Sequence, residues 1–173
     1  MYNLNWIINK FKEFNDKPFL IDNDDTISYA DLIKNTAKWQ ERLHELKILE
    51  GDIIAVIGDY SPEVIYLFLA LALNKNIIVP LSNETLDKHD MFLQIAHVNG
   101  FFKFAAENKW KFHSRHCSTS HDLLNKLKSD QESGLVIFTS GTTGQNKGTV
   151  LQVSKLIDKY KTLKKNHTGP LFF

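Results

Sequence analysis

Ile137-Phe138-Thr139-Ser140-Gly141-Thr142-Thr143-Gly144-Gln145-Asn146-Lys147-Gly148 follows directly on Leu135-Val136, so an apolar run empties into a glycine-rich segment. Residues Leu135–Phe138 have the length and apolar character of a buried strand. Gly141, Gly144 and Gly148 let backbone turn sharply and let N–H groups come close to an anion. Thr139, Ser140, Thr142 and Thr143 add hydroxyl donors, and Lys147 adds a positive charge. This is the composition of a loop that holds phosphate. It is not the Walker loop: counting from Gly141 puts Asn146 where the second glycine belongs, and Gly148 follows the lysine instead of a hydroxyl residue. The dinucleotide spacing Gly-x-Gly-x-x-Gly is absent too.

Upstream, short apolar runs alternate with helical patterns. Phe19-Leu20-Ile21 reads as a strand and Asp22 to Asp25 as a solvated turn, with no downstream glutamate to complete a calcium loop. Ser28-Tyr29-Ala30-Asp31 has capping-box spacing and opens a helix with Tyr29, Leu32, Ile33, Trp39, Leu43 and Leu46 on its apolar face. Ile53 to Ile57 is a continuous apolar strand. Ser61-Pro62-Glu63 starts a helix through Val64–Leu73, and Ile77–Leu81 is the next strand. Thr85 to His97 reads as one helix, stopped by Asn99-Gly100. Phe101, Phe102 and Phe104 mark a strand, and Trp110 with Phe112 marks another.

Ser120 is expected to cap a helix carrying Leu123, Leu124 and Leu127. Thr149 to Val153 alternates weakly, and Ser154 is expected to cap a helix through Leu156, Ile157, Tyr160 and Leu163. Strands alternating with helices predict an α/β fold with a mostly parallel sheet flanked by helices.

Composition narrows the function. A hydrophobic share of 43% in 173 residues supports one real core. A net charge of +1 carries no footprint for nucleic acid. The apolar run Val64–Leu73 is too short to span a bilayer, which takes about 20 residues. A single cysteine, Cys117, and a start without signal-peptide features fit a cytoplasmic setting.

The glycine-rich segment resembles the phosphate loop of the AMP-forming adenylating enzymes: acyl- and aryl-CoA synthetases, peptide-synthetase adenylation domains and luciferases. Their signature is Thr-Ser-Gly-Ser/Thr-Thr-Gly-x-Pro-Lys-Gly after an apolar strand. Thr139, Ser140, Gly141, Thr142, Thr143, Gly144, Lys147 and Gly148 match it, while Asn146 stands in place of the proline. Thr26-Ile27-Ser28-Tyr29-Ala30-Asp31-Leu32 resembles the family's approach to its first long helix. Gly51-Asp52-Ile53-Ile54-Ala55-Val56 and Ile77-Ile78-Val79-Pro80-Leu81 resemble two of its strands, although Asn74-Lys75-Asn76 replaces the usual glycine before the second. Together these landmarks cover about residues 18 to 153.

The resemblance implies an enzyme that joins a carboxylic acid to AMP with ATP, releases pyrophosphate, and passes the acyl group to a thiol such as coenzyme A or a carrier-protein pantetheine. It implies that Thr139, Ser140, Gly141, Thr142, Thr143, Gly144 and Lys147 bind ATP phosphates, with Mg2+ accompanying the nucleotide. Such enzymes are over twice this length, and their adenine pocket, ribose-binding aspartate and C-terminal lysine-bearing domain lie beyond the loop. Residues 1–173 are therefore expected to be a partial N-terminal domain, with the phosphate loop near 139–148 and no adenylate formation by itself. The alternative is a non-catalytic nucleotide-binding or accessory module that complements a separately encoded polypeptide. An unrelated nucleotide hydrolase is disfavoured by the failed Walker pattern.

Three further groups of residues carry less. His113, His116, Cys117 and His121 are zinc-type ligands at a spacing that fits no familiar zinc pattern, and read as a polar surface loop. Lys155, Lys159, Lys161, Lys164 and Lys165 read as a solvated helix face. Asn83 and Asn166 sit in glycosylation sequons that mean little without a secretory signal.

Overall fold

The structure, a computed structural model, describes residues 4–22, 25–105, 109–118, 121–140, 146–158 and 160. Helix α1 (Asn5–Phe14) leads into a hairpin of β1 (Pro18–Asp22) and β2 (Asp25–Ser28), in which Asp22 pairs with Asp25. Helix α2 (Tyr29–Glu45) starts as its sequence predicts. Ser28 Oγ accepts the Asp31 N–H at 3.1 Å, and the Ser28 N–H donates back to the Asp31 carboxylate at 3.1 Å. Residues 26–27, expected as no more than an approach to that helix, belong to β2, and α1 went unread although Leu4, Ile7, Phe11 and Phe14 recur at helical spacing.

The main sheet is built from β3 (Ile53–Ile57), β4 (Ile77–Leu81), β5 (Gly100–Phe104), β6 (Trp110–Ser114), β7 (Gly134–Ser140) and β8 (Asn146–Gln152). Its order is β6-β5-β3-β4-β7-β8. The inner pairs β5-β3, β3-β4 and β4-β7 are parallel, and the two outer pairs are antiparallel, so the sheet is mostly parallel. β3 is buried at every position, as expected of a strand covered on both faces.

Helices cover the two faces. On one, α2 and α3 (Pro62–Leu73) pack over Ile54, Val56, Ile78 and Phe102. Trp39 is fully buried there, with Phe102 edge-on at 5.5 Å and Trp110 at 5.0 Å. The Arg42 guanidinium lies 4.8 Å from the Trp39 ring and donates to Glu63 at 3.1 Å, tying α2 to α3. Helix α3 begins as read, with the Ser61 hydroxyl accepting the Val64 N–H and Pro62 in its first turn. No described helix is long and apolar enough to cross a membrane. On the other face, α4 (His89–Ile95) and α5 (Asp122–Ser129) pack over Ile53, Ala55, Ile57, Ile77 and Val79.

Three expectations need correction. The single helix over Thr85–His97 is two pieces, a 3-10 turn at Asn83–Lys88 followed by α4. Thr85, where the helix is expected to begin, is itself non-helical, at φ −110 and ψ 27, with its hydroxyl and its N–H both donating to the Ser82 carbonyl at 3.2 Å. Ser154 does not cap its helix. It lies inside α6 (Val153–Asp158), buried, and donates to Glu132 at 3.0 Å, while Leu163 lies outside the described residues. Ser120 also lies outside them, and the residue that precedes the first turn of α5 is His121, which makes no side-chain cap bond.

Candidate functional site

The strands on either side of residues 141–145, β7 and β8, pair as an antiparallel hairpin. β7 enters parallel to β4, with Ile78 beside Leu135. Continuing that register sets Phe138 level with Leu81, so Thr139 and Ser140 project past the carboxyl edge of the sheet. In open α/β sheets this edge is where ligands bind. β8 returns antiparallel, pairing Ser140 with Asn146, Thr139 with Lys147 and Phe138 with Gly148. The weak alternation read at Thr149–Val153 is the second half of this strand up to Gln152, and Val153 already belongs to α6.

The seven residues expected to hold phosphate divide accordingly. Thr139, Ser140 and Lys147 flank the tip, with Thr139 directly across from Lys147. Gly141, Thr142, Thr143 and Gly144 lie outside the described residues. Side chains alternate across a strand. Leu135, Ile137 and Thr139 therefore share a face with Lys147, Thr149 and Leu151. Beyond Leu135, which packs against the Trp39 core, this face is open: Ile137 is 38% exposed, and Thr139, Lys147 and Thr149 are exposed. Lys147 has no ion-pair partner among the described residues, which leaves its ammonium available to an anion.

The opposite face of the hairpin is its support. Val136 is buried, and Phe138 stacks on the buried Phe92 ring at 4.2 Å and 17°. Gly148 lies close over both: a Cβ there would stand 3.3 Å from Phe138 Cε1 and from Val136 Cγ1. The third glycine thus serves packing as well as backbone freedom.

Two neighbours at the same edge went unread in the sequence. Between β3 and α3, the Asp59 carboxylate accepts the Asn83 side-chain amide at 2.9 Å and its backbone N–H at 3.4 Å, clamping the loops that follow β3 and β4. The Asn83 read as a sequon is thus engaged in that clamp. Next to it Tyr60 is 99% exposed. The signal available was the polar run Gly58-Asp59-Tyr60 at the end of an apolar strand.

The histidines and the cysteine do not converge. His113 stacks on Phe101 at 4.7 Å on the outer hairpin β5-β6, and Cys117 lies nearer His97, with Sγ 3.9 Å from Nδ1. Among the described residues no group of three His, Cys, Asp or Glu is placed to hold a metal ion.

An open, mostly parallel α/β sheet that ends in the β7–β8 hairpin at its carboxyl edge defines the class of fold. Within that class, the model of the AMP-binding enzyme family matches residues 9–171, and the chain belongs to that family. It is 23% identical over 156 residues to the 2-succinylbenzoate–CoA ligase of Bacillus subtilis (strain 168), covering 83% of this chain and 32% of the ligase. It is 25% identical over 146 residues to gramicidin S synthase 2 of Brevibacillus brevis, covering 78% of this chain and 3% of the synthase. Among solved structures, the N-terminal subdomain of Klebsiella oxytoca NpsA in complex with 3-hydroxybenzoyl-AMSN superposes with a TM-score of 0.68 at 22% identity, covering 88% of this chain and 41% of that one. The chain thus spans about a third of the ligase and less than half of the NpsA subdomain.

Proposed function

We propose that this chain is the N-terminal part of an ATP-dependent, AMP-forming carboxylic acid ligase, and that residues 139–148 are its phosphate loop. The observation that carries this reading is the Thr139–Lys147 hairpin projecting from the carboxyl edge, in a chain that belongs to the AMP-binding enzyme family. In the reaction a carboxylate oxygen attacks the α-phosphorus of ATP. The bond to the bridging oxygen breaks, and pyrophosphate leaves with the electron pair. Negative charge grows on that leaving group. The hydroxyls of Thr139, Ser140, Thr142 and Thr143, the backbone at Gly141 and Gly144, and the Lys147 ammonium are assigned to the β- and γ-phosphates, where they stabilise it. The thiol of coenzyme A or of a carrier-protein pantetheine then gives up its proton to solvent and bonds to the acyl carbon, while the bond to the adenylate oxygen breaks and AMP leaves. Magnesium enters this reading as the partner of the ATP phosphates.

Because the chain spans so little of its relatives, the same reading has residues 1–173 bind nucleotide without forming adenylate unaided, in a cytoplasmic setting. The complementing residues, on the same or a separate polypeptide, supply the other walls of the site. Titration calorimetry with ATP and Mg2+ tests the loop. The Lys147→Ala chain is expected to bind about 10- to 100-fold more weakly, since a hydrogen bond from a charged group contributes roughly 1.5–3 kcal/mol. Its thermal midpoint stays that of the unaltered chain, because the exposed Lys147 has no described partner. Equal affinity in the two chains overturns the assignment. Pyrophosphate exchange by the 173-residue chain with a panel of carboxylic acids overturns the proposed dependence on further residues.

A further inference from the structure

At the opposite edge of the sheet, where the parallel strands begin, lies a shallow, solvent-open depression of about 540 Å3 that no part of the adenylating chemistry uses. Asn99 builds its wall. The Asn99 N–H donates to the Ile53 carbonyl at 2.7 Å, and its side-chain oxygen accepts the Ile53 N–H at 2.8 Å. Its side-chain amide donates to the Cys117 carbonyl at 2.6 Å, and its own carbonyl accepts the Arg115 N–H at 2.7 Å. One side chain thus fastens residues 114–118 to the start of β3. The side chains of that segment are mostly donors: the hydroxyls of Ser114 and Ser118, the His116 imidazole and the half-buried Arg115 guanidinium. The acid in the lining, Asp52, accepts the Leu49 N–H on Oδ2 at 2.8 Å, and its negative charge selects against anions that do not reach the guanidinium. It forms no ion pair with Arg115, which has no carboxylate partner among the described residues.

We propose that this depression binds a small oxyanion, a phosphate or carboxylate group, with the Arg115 guanidinium as its charged anchor and the serine hydroxyls and His116 around it. A half-buried guanidinium without a carboxylate leaves its planar donor fork unsatisfied, and that fork matches an oxyanion two oxygens at a time. The site is separate from the hairpin at 139–148, which stands at the carboxyl edge.

Cys117 reports on the site. It is the chain's sole cysteine, it is half-buried, and it lines the depression. The experiment follows alkylation of Cys117 by iodoacetamide, read by mass spectrometry on the full chain. It compares inorganic phosphate, acetate, and potassium chloride at matched ionic strength. Phosphate, acetate or both are expected to slow alkylation about fivefold at about four times Kd, since protection follows 1 + [L]/Kd. Which anion protects better identifies the oxyanion class. Arg115→Gln is expected to abolish protection and His116→Gln to weaken it, whereas Lys147→Ala leaves it intact and so separates this site from the hairpin. Rates no slower with phosphate and acetate than with chloride overturn the proposal. So does protection that survives Arg115→Gln, or protection lost with Lys147→Ala.

Discussion

The Phe92–Phe138 stack should behave as the strut that aims the glycine-rich hairpin. The two rings lie 4.2 Å apart at 17°, Phe92 is 4% exposed, and the backbone of Gly148 closes over Phe138 from the neighbouring strand. Replacing either ring by leucine keeps most of the apolar bulk, so the packing cost is below about 1.5 kcal/mol for each. The ring pair itself contributes about 0.5–1.5 kcal/mol beyond the area it buries. Each single substitution removes that pair, so each is expected to cost about 0.5–3 kcal/mol. The double variant Phe92→Leu/Phe138→Leu removes it only once. It should therefore be less destabilised than the sum of the two singles by about 0.5–1.5 kcal/mol. Urea unfolding of the four chains, with the slope m held as a check on the denatured state, measures this coupling. Additive costs within about 0.3 kcal/mol would show that the two rings do not support each other, and would refute the strut.

Other consequences are as specific. The Ser28 hydroxyl, and after it the Ser28 N–H, hold the Asp31 carboxyl below its ordinary range. A depressed folded-state value means stability present above the unfolded value and lost as pH falls through the folded one. Asp31→Asn should therefore flatten the acid side of the urea-midpoint profile, and an unchanged profile would count against the capping box. A Cβ at Gly134 would stand 2.6 Å from Leu127 Cδ1 and 3.2 Å from Ile77 Cγ1. Gly134→Ala is thus expected to cost about 1–2 kcal/mol, and the double variant with Leu127→Ala to lose less than the sum of the two singles, as urea unfolding would show. Asn99→Ala strips partners from the Ile53 N–H and the Cys117 carbonyl. A loss of about 1–3 kcal/mol is expected, with faster hydrogen exchange at Ile53.

Much of the fold could be read because its cues are local. Continuous apolar runs at Ile53–Ile57 and Ile77–Leu81 mark strands buried on both faces, and the capping residues Ser28 and Ser61 mark helix starts whose bonds close within three residues. The spacing of Thr139 to Gly148 is local too, which is why it pointed to phosphate before any neighbour was known. Ser154 misled for the converse reason. Its hydroxyl serves Glu132, a residue 22 positions away, and no local pattern records that bond.

The sequence by itself marked the central strands, the capped starts of α2 and α3 and the family, because caps, apolar runs and a glycine-hydroxyl-lysine spacing act over a few residues. Only the tertiary structure decided the strand order β6-β5-β3-β4-β7-β8, which sends β7 past the carboxyl edge and turns the face of Thr139 and Lys147 outward. It alone brought Asn99 against residues 114–118 and left Arg115 facing a depression at the other edge. The physical reason is the same for both edges. A residue's chemistry is carried by its own side chain, whereas its exposure and partners are set by contacts between segments far apart in the chain.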